Sequence, residues 1–357
     1  MLFAMFSTPK PIGIGVLSFA HGHAGMYCDV LQHFEDAKLV AAWDADVSRG
    51  QEHATRFGME YSASYQELLA RDDIDAVIVT AETSSHIELI EAACLAGKNI
   101  LCQKPMVTTL ADCDRVIEAV DKSGVHFQMA FQMRCDPLNR QIKKWIDEGA
   151  IGKVGAIRRR HCLDMLFNQD FINSSGKWHF DKEKNIGMFF DDAVHAADFL
   201  YWIMGKPVSV MAEIDNTLTD VAPDDCGMAI YKWQTETGAA MGTLFNSSVA
   251  LAGENTCEVY GDKGVIIQNY DDLVSTRNLP EGAQALKLFR AETGQWEYFE
   301  HQLPAHHGER IKAIPRIWLD NLKSGNAPTV SARDGKISVE MCIYAYHSSK
   351  EGKRILF

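Results

Sequence analysis

CxxC pairs, long basic runs and long apolar runs are what this sequence does without. Its nine cysteines are scattered with no CxxC spacing, and an odd, unpatterned set fits reduced thiols in a cytoplasmic protein better than a disulfide framework. Most of them, Cys94 and Cys162 included, read as small buried apolar residues. A formal charge of -13 with no basic run long enough to offset it argues against nucleic acid or an anionic membrane face as the partner, because such surfaces repel one another. No apolar stretch is long enough to span a bilayer. The opening residues, MLFAMFSTPKP, carry no basic leader and place Pro9 early, so they are not read as a secretory signal. Also missing is HExxH, which sets a zinc helix aside; no metal is expected. The turn after the first apolar run lacks GxGxxG as well.

What is present suits two domains, since 357 residues are ample for a large buried core. Ile12 to Leu17 reads as a buried strand and Gly22 to Phe34 as the helix after it. The turn between them contains Ser18, Phe19, Ala20 and His21. Small Ser18 and Ala20 stand where a dinucleotide turn has its first two glycines, and the helix N-terminus still offers free amides to a pyrophosphate. A second strand, Lys38 to Trp43, ends in Asp44, roughly twenty residues on, where a dinucleotide fold keeps its ribose acid. A carboxylate there accepts from both ribose hydroxyls and repels a 2′-phosphate, so NAD is expected rather than NADP. Alternation then continues through a helix Val47 to Phe57, a short strand near Glu60, and a strand Ala76 to Thr80. The polar loop Thr80 to His86 leads into a helix ending at Ala96. Strands alternating with helices at this spacing mean a parallel, doubly wound sheet.

The next strand ends in the stretch KNILCQKPM. Gln103, Lys104 and Pro105 follow Ile100 to Cys102, so a primary amine arrives at the carboxyl end of a parallel strand, where such sheets bind ligands. Proline removes a donor and keeps Lys104 out of a helix.

Beyond Gly149 the pattern changes to strands with turn signals: Val208 to Ile214, Met228 to Trp233, Ala239 to Phe245, Cys257 to Tyr260, Val265 to Gln268 and Trp296 to Glu300. TETG and GDKG read as hairpin links. The fold class is therefore α/β followed by α+β, with an antiparallel or mixed second sheet. Its outer face needs cover, and self-association as a homodimer or homotetramer is the expected solution. One helix interrupts the strands, in GMFFDDAVHAADFLYWIMG. Phe190, Val194, Ala197, Tyr201 and Met204 make its core stripe, while Asp191, His195 and Asp198 share the adjoining face. Ionisable groups beside buried apolar surface are either paired structurally or used chemically. His21 and His23 lie on the phosphate turn and are not read as a metal pair. Trp178 and His179, in SGKWHF, either line a sugar pocket by stacking or belong to the core. His306 and His307 are placed in a loop before a helix Glu309 to Leu322.

The order of these parts resembles the glucose-fructose oxidoreductase and inositol dehydrogenase (Gfo/Idh/MocA) family along nearly the whole length. The matching pieces are the first strand and turn, VAAWD, DIDAVIVTAETSSH, AGKNILCQKP, FQMRCDP with EGAIGKVGAI, the FDDAVHAAD helix, and the closing APTVSARDGKISVEMCIYAYHSSKEGKRILF. The resemblance implies a Rossmann domain over 1–133 and a substrate-binding and oligomerisation domain over 134–357. The second carries a large open, mainly antiparallel sheet, and its C-terminal helix packs back on the first domain. It also implies NAD(P)-dependent oxidation of sugars or cyclic polyols such as inositol. Lys104 matches the lysine of the family's EKP motif, and Asp191 and His195 match the acid and histidine of its catalytic helix. Cofactor contacts are expected at Ser18, Phe19, Ala20, His21, Asp44, Thr80, His86, Gln103 and Lys104. Substrate contacts are expected at Lys104, Gln132, Arg134, His161, Trp178, Asp191 and His195. Gln103 departs from the usual Glu, and the turn is poor in glycine.

In this reading His195 is the base, since imidazole titrates near neutrality. Asp191 orients it, and Lys104 stabilises charge on the reacting oxygen. Two alternatives share the same parts: a lyase or glycosidase that oxidises a sugar carbon transiently, and a cofactor-binding regulator without turnover.

Overall fold

The computed structural model describes residues 10–252, 257–268, 285–300 and 307–357. Strands β1 (Ile12–Leu17), β2 (Ala37–Trp43), β3 (Glu60–Tyr61), β4 (Ala76–Val79), β5 (Asn99–Cys102) and β6 (Phe127–Met129) form one sheet in the order β3-β2-β1-β4-β5-β6. All five pairings are parallel. Helices cover both faces, so the central strands are apolar throughout: Ile14, Val16, Val77, Ile78, Ile100 and Leu101 are all buried. β1 passes so close to the neighbouring chain that a Cβ on Gly13 would stand 1.9 Å from the Asp73 carbonyl oxygen. Strand order reverses between β1 and β4, which opens a crevice at their carboxyl ends.

The second sheet has nine strands: β7 (Val154–Cys162), β8 (Ser209–Asp215), β9 (Cys226–Thr235), β10 (Gly238–Ser247), β11 (Cys257–Gly261), β12 (Gly264–Gln268), β13 (Leu286–Arg290), β14 (Gln295–Tyr298) and β15 (Ile355–Leu356). Their order is β14-β13-β12-β11-β7-β10-β9-β8-β15. Only β7 and β10 pair in parallel; every other pairing in this sheet is antiparallel. In β9 the alternation is plain, with Ala229, Tyr231 and Trp233 buried and Met228 and Ile230 more than half exposed. The inner face carries the helices Met188–Met204 and Ala332–Glu351, and the first of these is buried on every side from Met188 to Leu200.

The end of the chain returns to the first sheet. Trp318 and Leu319 pack with Ile14, Tyr27 and Leu31, and Arg316 bonds both oxygens of Asp36 at 2.9 Å. Ala332–Glu351, opened by a capping box at Ser331 and Asp334, packs on Leu110–Ser123 as well as on Met188–Met204. The helix expected over Glu309 to Leu322 is two, His307–Lys312 and Ile314–Ser324, because Pro315 cannot donate to a continuing helix and is tolerated in the first turn of a new one. His307 therefore opens a helix, while His306 lies outside the described residues. Strands β7, β13 and β15 were not anticipated, nor were the short helical turns Met165–Phe167, Gln169–Asn173, Ser175–Phe180 and Lys182–Asn185. None of the nine cysteines is in a disulfide. Among the described residues no helix is long and apolar enough to cross a membrane.

Candidate active site

The turn after β1 solves its shortage of glycine with Ser18, which takes a positive φ of 77°. Such a conformation costs a non-glycine residue about 1–3 kcal/mol, and local bonds offset it. Ser18 Oγ donates to Asp44 Oδ2 at 3.1 Å and accepts from the Ala20 amide at 3.1 Å, while Thr80 Oγ1 donates to the Ser18 carbonyl at 2.6 Å. Asp44 also takes the amides of Phe19 and Asp46 and both arms of Arg49, at 2.6, 2.8, 2.9 and 2.6 Å. Burial works against its charge, but Arg49 and the two amides outweigh it and hold the carboxyl below its ordinary value.

The turn fits the phosphates of a dinucleotide. Gly22 sits at the N-terminus of His23–Leu31, and a Cβ there would meet nothing within 4 Å, leaving room beside the helix dipole. Burial, then the charges of His23, His179 and Lys104, push the His21 imidazole well below its usual range. Its Nδ1 accepts the His23 amide at 3.2 Å, so the proton lies on Nε2, a buried donor with no partner among the described residues.

Lys104 lies two residues beyond β5, and its peptide to Pro105 is cis. Its Nζ donates to the Asp191 carbonyl at 3.0 Å and to Asp191 Oδ2 at 3.1 Å. Gln103 is explained by its partners. Its Oε1 accepts the Lys104 amide at 2.8 Å, while Nε2 donates to His23 Nδ1 at 2.9 Å and to the Tyr27 hydroxyl at 3.1 Å. A glutamate has no proton to give His23, which burial and the Lys104 charge keep neutral.

On the facing helix, Asp191 Oδ1 takes His179 Nδ1 at 3.0 Å and Asn185 Nδ2 at 2.7 Å. Burial opposes the charge, yet His179 and Lys104 prevail and the carboxyl titrates far below normal. Its neighbour Asp192 goes the other way: burial and the Asp191 charge raise it to about 7. Gln132 Nε2 donates to His195 Nε2 at 3.3 Å, which leaves the ring proton on Nδ1. His161 and Phe131 meet the same ring edge-on, at 5.6 and 5.9 Å between centroids.

These groups surround one cavity of about 760 Å³ between the two sheets' domains. Phe19, Ala20, His21, Arg49, His53 and Lys104 line it from one side, and Gln132, His161, His179, Asp191, Asp192 and His195 from the other. Eight of the expected residues thus converge. Five others, Ser18, Asp44, Thr80, His86 and Gln103, stand behind the wall. His86 Nδ1 meets the carbonyls of Pro105 and Met106, and its Nε2 meets that of Ala81, so it fixes the backbone around Lys104.

Three expectations change. Arg134 is not at the cavity: it bonds both oxygens of buried Asp198 at 2.9 and 2.6 Å, because two strong charges taken from water must pair. Trp178 does not face substrate; its Nε1 donates to the Ala20 carbonyl at 3.1 Å, and it stacks on His179, which takes the cavity position. Asp191 holds Lys104 and His179, so it does not orient His195. Asn185 and Asp192 were missed. A second aspartate beside Asp191 was the visible signal for one, whereas Asn185 depends on a loop the sequence does not shape legibly.

Two family models match in series. The Gfo/Idh/MocA model described as an oxidoreductase family with an NAD-binding Rossmann fold covers residues 12–131, and the model for the family's C-terminal domain covers residues 139–267. The chain belongs to the Gfo/Idh/MocA family. As a Gfo/Idh/MocA member it is a nicotinamide-dependent oxidoreductase whose first domain binds NAD. Myo-inositol 2-dehydrogenase of Thermotoga maritima is 28% identical over 350 residues, 96% of each chain. D-apiose dehydrogenase of Paraburkholderia graminis is 23% identical over 354 residues, 96% of this chain and 88% of that one. Among solved structures, a levoglucosan dehydrogenase complexed with NADH and levoglucosan superposes with a TM-score of 0.82 at 21% identity, over 97% of this chain and 99% of the other. That likeness carries the fold alone.

Proposed function

We propose that this protein oxidises a secondary hydroxyl of a sugar or cyclic polyol, inositol among the candidates, with NAD as hydride acceptor. The observation that carries the reading is the meeting of Lys104 from β5 and His195 from the helix Met188–Met204 on one cavity. When bound, the nicotinamide supplies the redox chemistry; the chain supplies position and proton handling. An ammonium has three donors, and among the described residues Lys104 bonds only Asp191, leaving a donor for the reacting oxygen. There it stabilises developing negative charge. His195 is the base for the hydroxyl proton; its Nε2 exchanges the Gln132 amide for the substrate hydroxyl. Asp191, kept ionised, holds Lys104 and His179 in place.

NAD is favoured over NADP by charge. Asp44 binds Arg49 through both oxygens, and Asp46 and Glu82 act on the same guanidinium, so one cation faces three carboxylates and a 2′-phosphate meets net repulsion. The outer face of the nine-stranded sheet exposes Met211, Met228, Ile230, Met241 and Leu356, an apolar patch of the kind that marks association; a homodimer or homotetramer covers it. Nine cysteines outside any disulfide suit a reducing, cytoplasmic setting.

A screen of inositols and sugars with NAD and NADP, followed at the NADH absorbance, tests the reading. Stoichiometric NADH is expected with NAD. His195→Ala and Lys104→Ala should each lower turnover by orders of magnitude while NAD still binds. Near-normal rates in either variant reject its assigned role, and consumption of a sugar without net NADH would point to transient oxidation instead.

A further inference from the structure

One carboxyl in the cavity wall is left over once Lys104, Asp191 and His195 have their roles. Asp192 is 6% exposed and lines the cavity. Ser248 Oγ, just beyond β10, donates to Asp192 Oδ2 at 3.2 Å, and among the described residues no other donor reaches the group. Asp191 differs, since three side chains satisfy both its oxygens. Its other polar neighbour is the Asp191 carboxyl, a like charge that favours a proton on Asp192, and a largely buried carboxyl with a single donor gains from a further hydrogen bond in the cavity. Asp192 and His195 are three residues apart in one helix, so they share a face with Cβ atoms about 5–6 Å apart. A hydroxyl held between Lys104 and His195 therefore brings the hydroxyl on the adjoining carbon within reach of Asp192.

We infer that Asp192 is a substrate-binding residue, whose carboxyl takes the hydroxyl next to the one being oxidised and so selects uncharged vicinal diols over substrates with a carboxylate at that position. The raised titration of the group supports this role: at about 7 it is protonated in a large fraction of molecules at neutral pH and donates as readily as it accepts. A substrate carboxylate placed there faces Asp191 and Asp192 together, like charges in a water-poor pocket.

This inference rests on the polyol-dehydrogenase reading, and the two fail separately. The experiment compares wild type, Asp192→Asn and Asp192→Leu with three probes: a cyclic polyol that wild type oxidises, the same polyol lacking the neighbouring hydroxyl, and a uronic acid. Polyol binding to the NADH-loaded proteins is measured by calorimetry beside the rates. Thermal melts and NADH binding establish that each variant is folded. Asp192→Leu should raise KM and Kd for the intact polyol at least about tenfold, the worth of one hydrogen bond, with kcat changed far less. Asp192→Asn, which keeps a donor and an acceptor, should stay within about threefold. The deoxy probe should bind wild type and Asp192→Leu equally, and the uronic acid should bind Asp192→Asn better than wild type. Unchanged polyol affinity in Asp192→Leu, or equal losses with the deoxy probe, overturns the inference and leaves the dehydrogenase reading standing. If wild type neither binds nor oxidises any polyol, both are rejected.

Discussion

The pair Arg134 and Asp198 gives the sharpest test of how this molecule is held together, because the sequence suggested substrate contact and the structure shows a buried ion pair. Arg134 reaches Asp198 through two bonds, at 2.9 and 2.6 Å, with side-chain exposures of 6% and 0%. Replacing Asp198 by alanine leaves the guanidinium in low dielectric, and breaking a buried pair on one side costs about 3–5 kcal/mol. Two remaining acceptors soften the loss. Asp334 stands 3.4 Å away and the Thr329 carbonyl accepts at 3.4 Å, which places the expectation near the lower limit, about 3 kcal/mol. With a urea m-value of about 3 kcal/mol/M, the unfolding midpoint should fall by about 1 M. Replacing both partners together, Arg134→Met with Asp198→Leu, should recover most of that loss, because no charge is stranded. Fluorescence-monitored urea titrations of the wild type and the two variants measure it, alongside KM of the folded protein. A loss under about 1 kcal/mol, or a tenfold rise in KM with stability intact, would refute the structural assignment and return Arg134 to the substrate.

Gln103→Glu exchanges two donated bonds for a carboxylate against neutral His23 and the Tyr27 hydroxyl; it should destabilise by about 1–3 kcal/mol at pH 8 and recover as pH falls and His23 takes a proton, read from melts across pH. Asp192 titrates at 3.8 when unfolded and at about 7 when folded, so between those values the folded chain binds more protons and stability falls as pH rises. Asp192→Asn should remove a slope of up to about 1.4 kcal/mol per pH unit in that window; an unchanged pH profile of stability would contradict the raised value. Gly13→Ala puts a methyl 1.9 Å from the Asp73 carbonyl and should cost about 1–3 kcal/mol or more through displaced backbone, measured as a drop in Tm.

Local pattern was enough for the parallel sheet, the mixed sheet after it, the ordering of Lys104 after β5, and the helix carrying Asp191 and His195, since each rests on periodicity and on residues near in the chain. Of the eight expected residues that meet in the cavity, Lys104, Asp191 and His195 were legible from a strand end and a helix face, whereas Gln132 and His161 came from the family resemblance. What only the folded chain decided are pairings between distant segments. Whether Arg134 faces substrate or Asp198, whether Trp178 or His179 turns to the cavity, and whether Asp191 serves His195 or Lys104 depend on which charge or donor lies opposite. A buried polar group takes the partner that tertiary packing presents, and spacing along the chain carries no record of it.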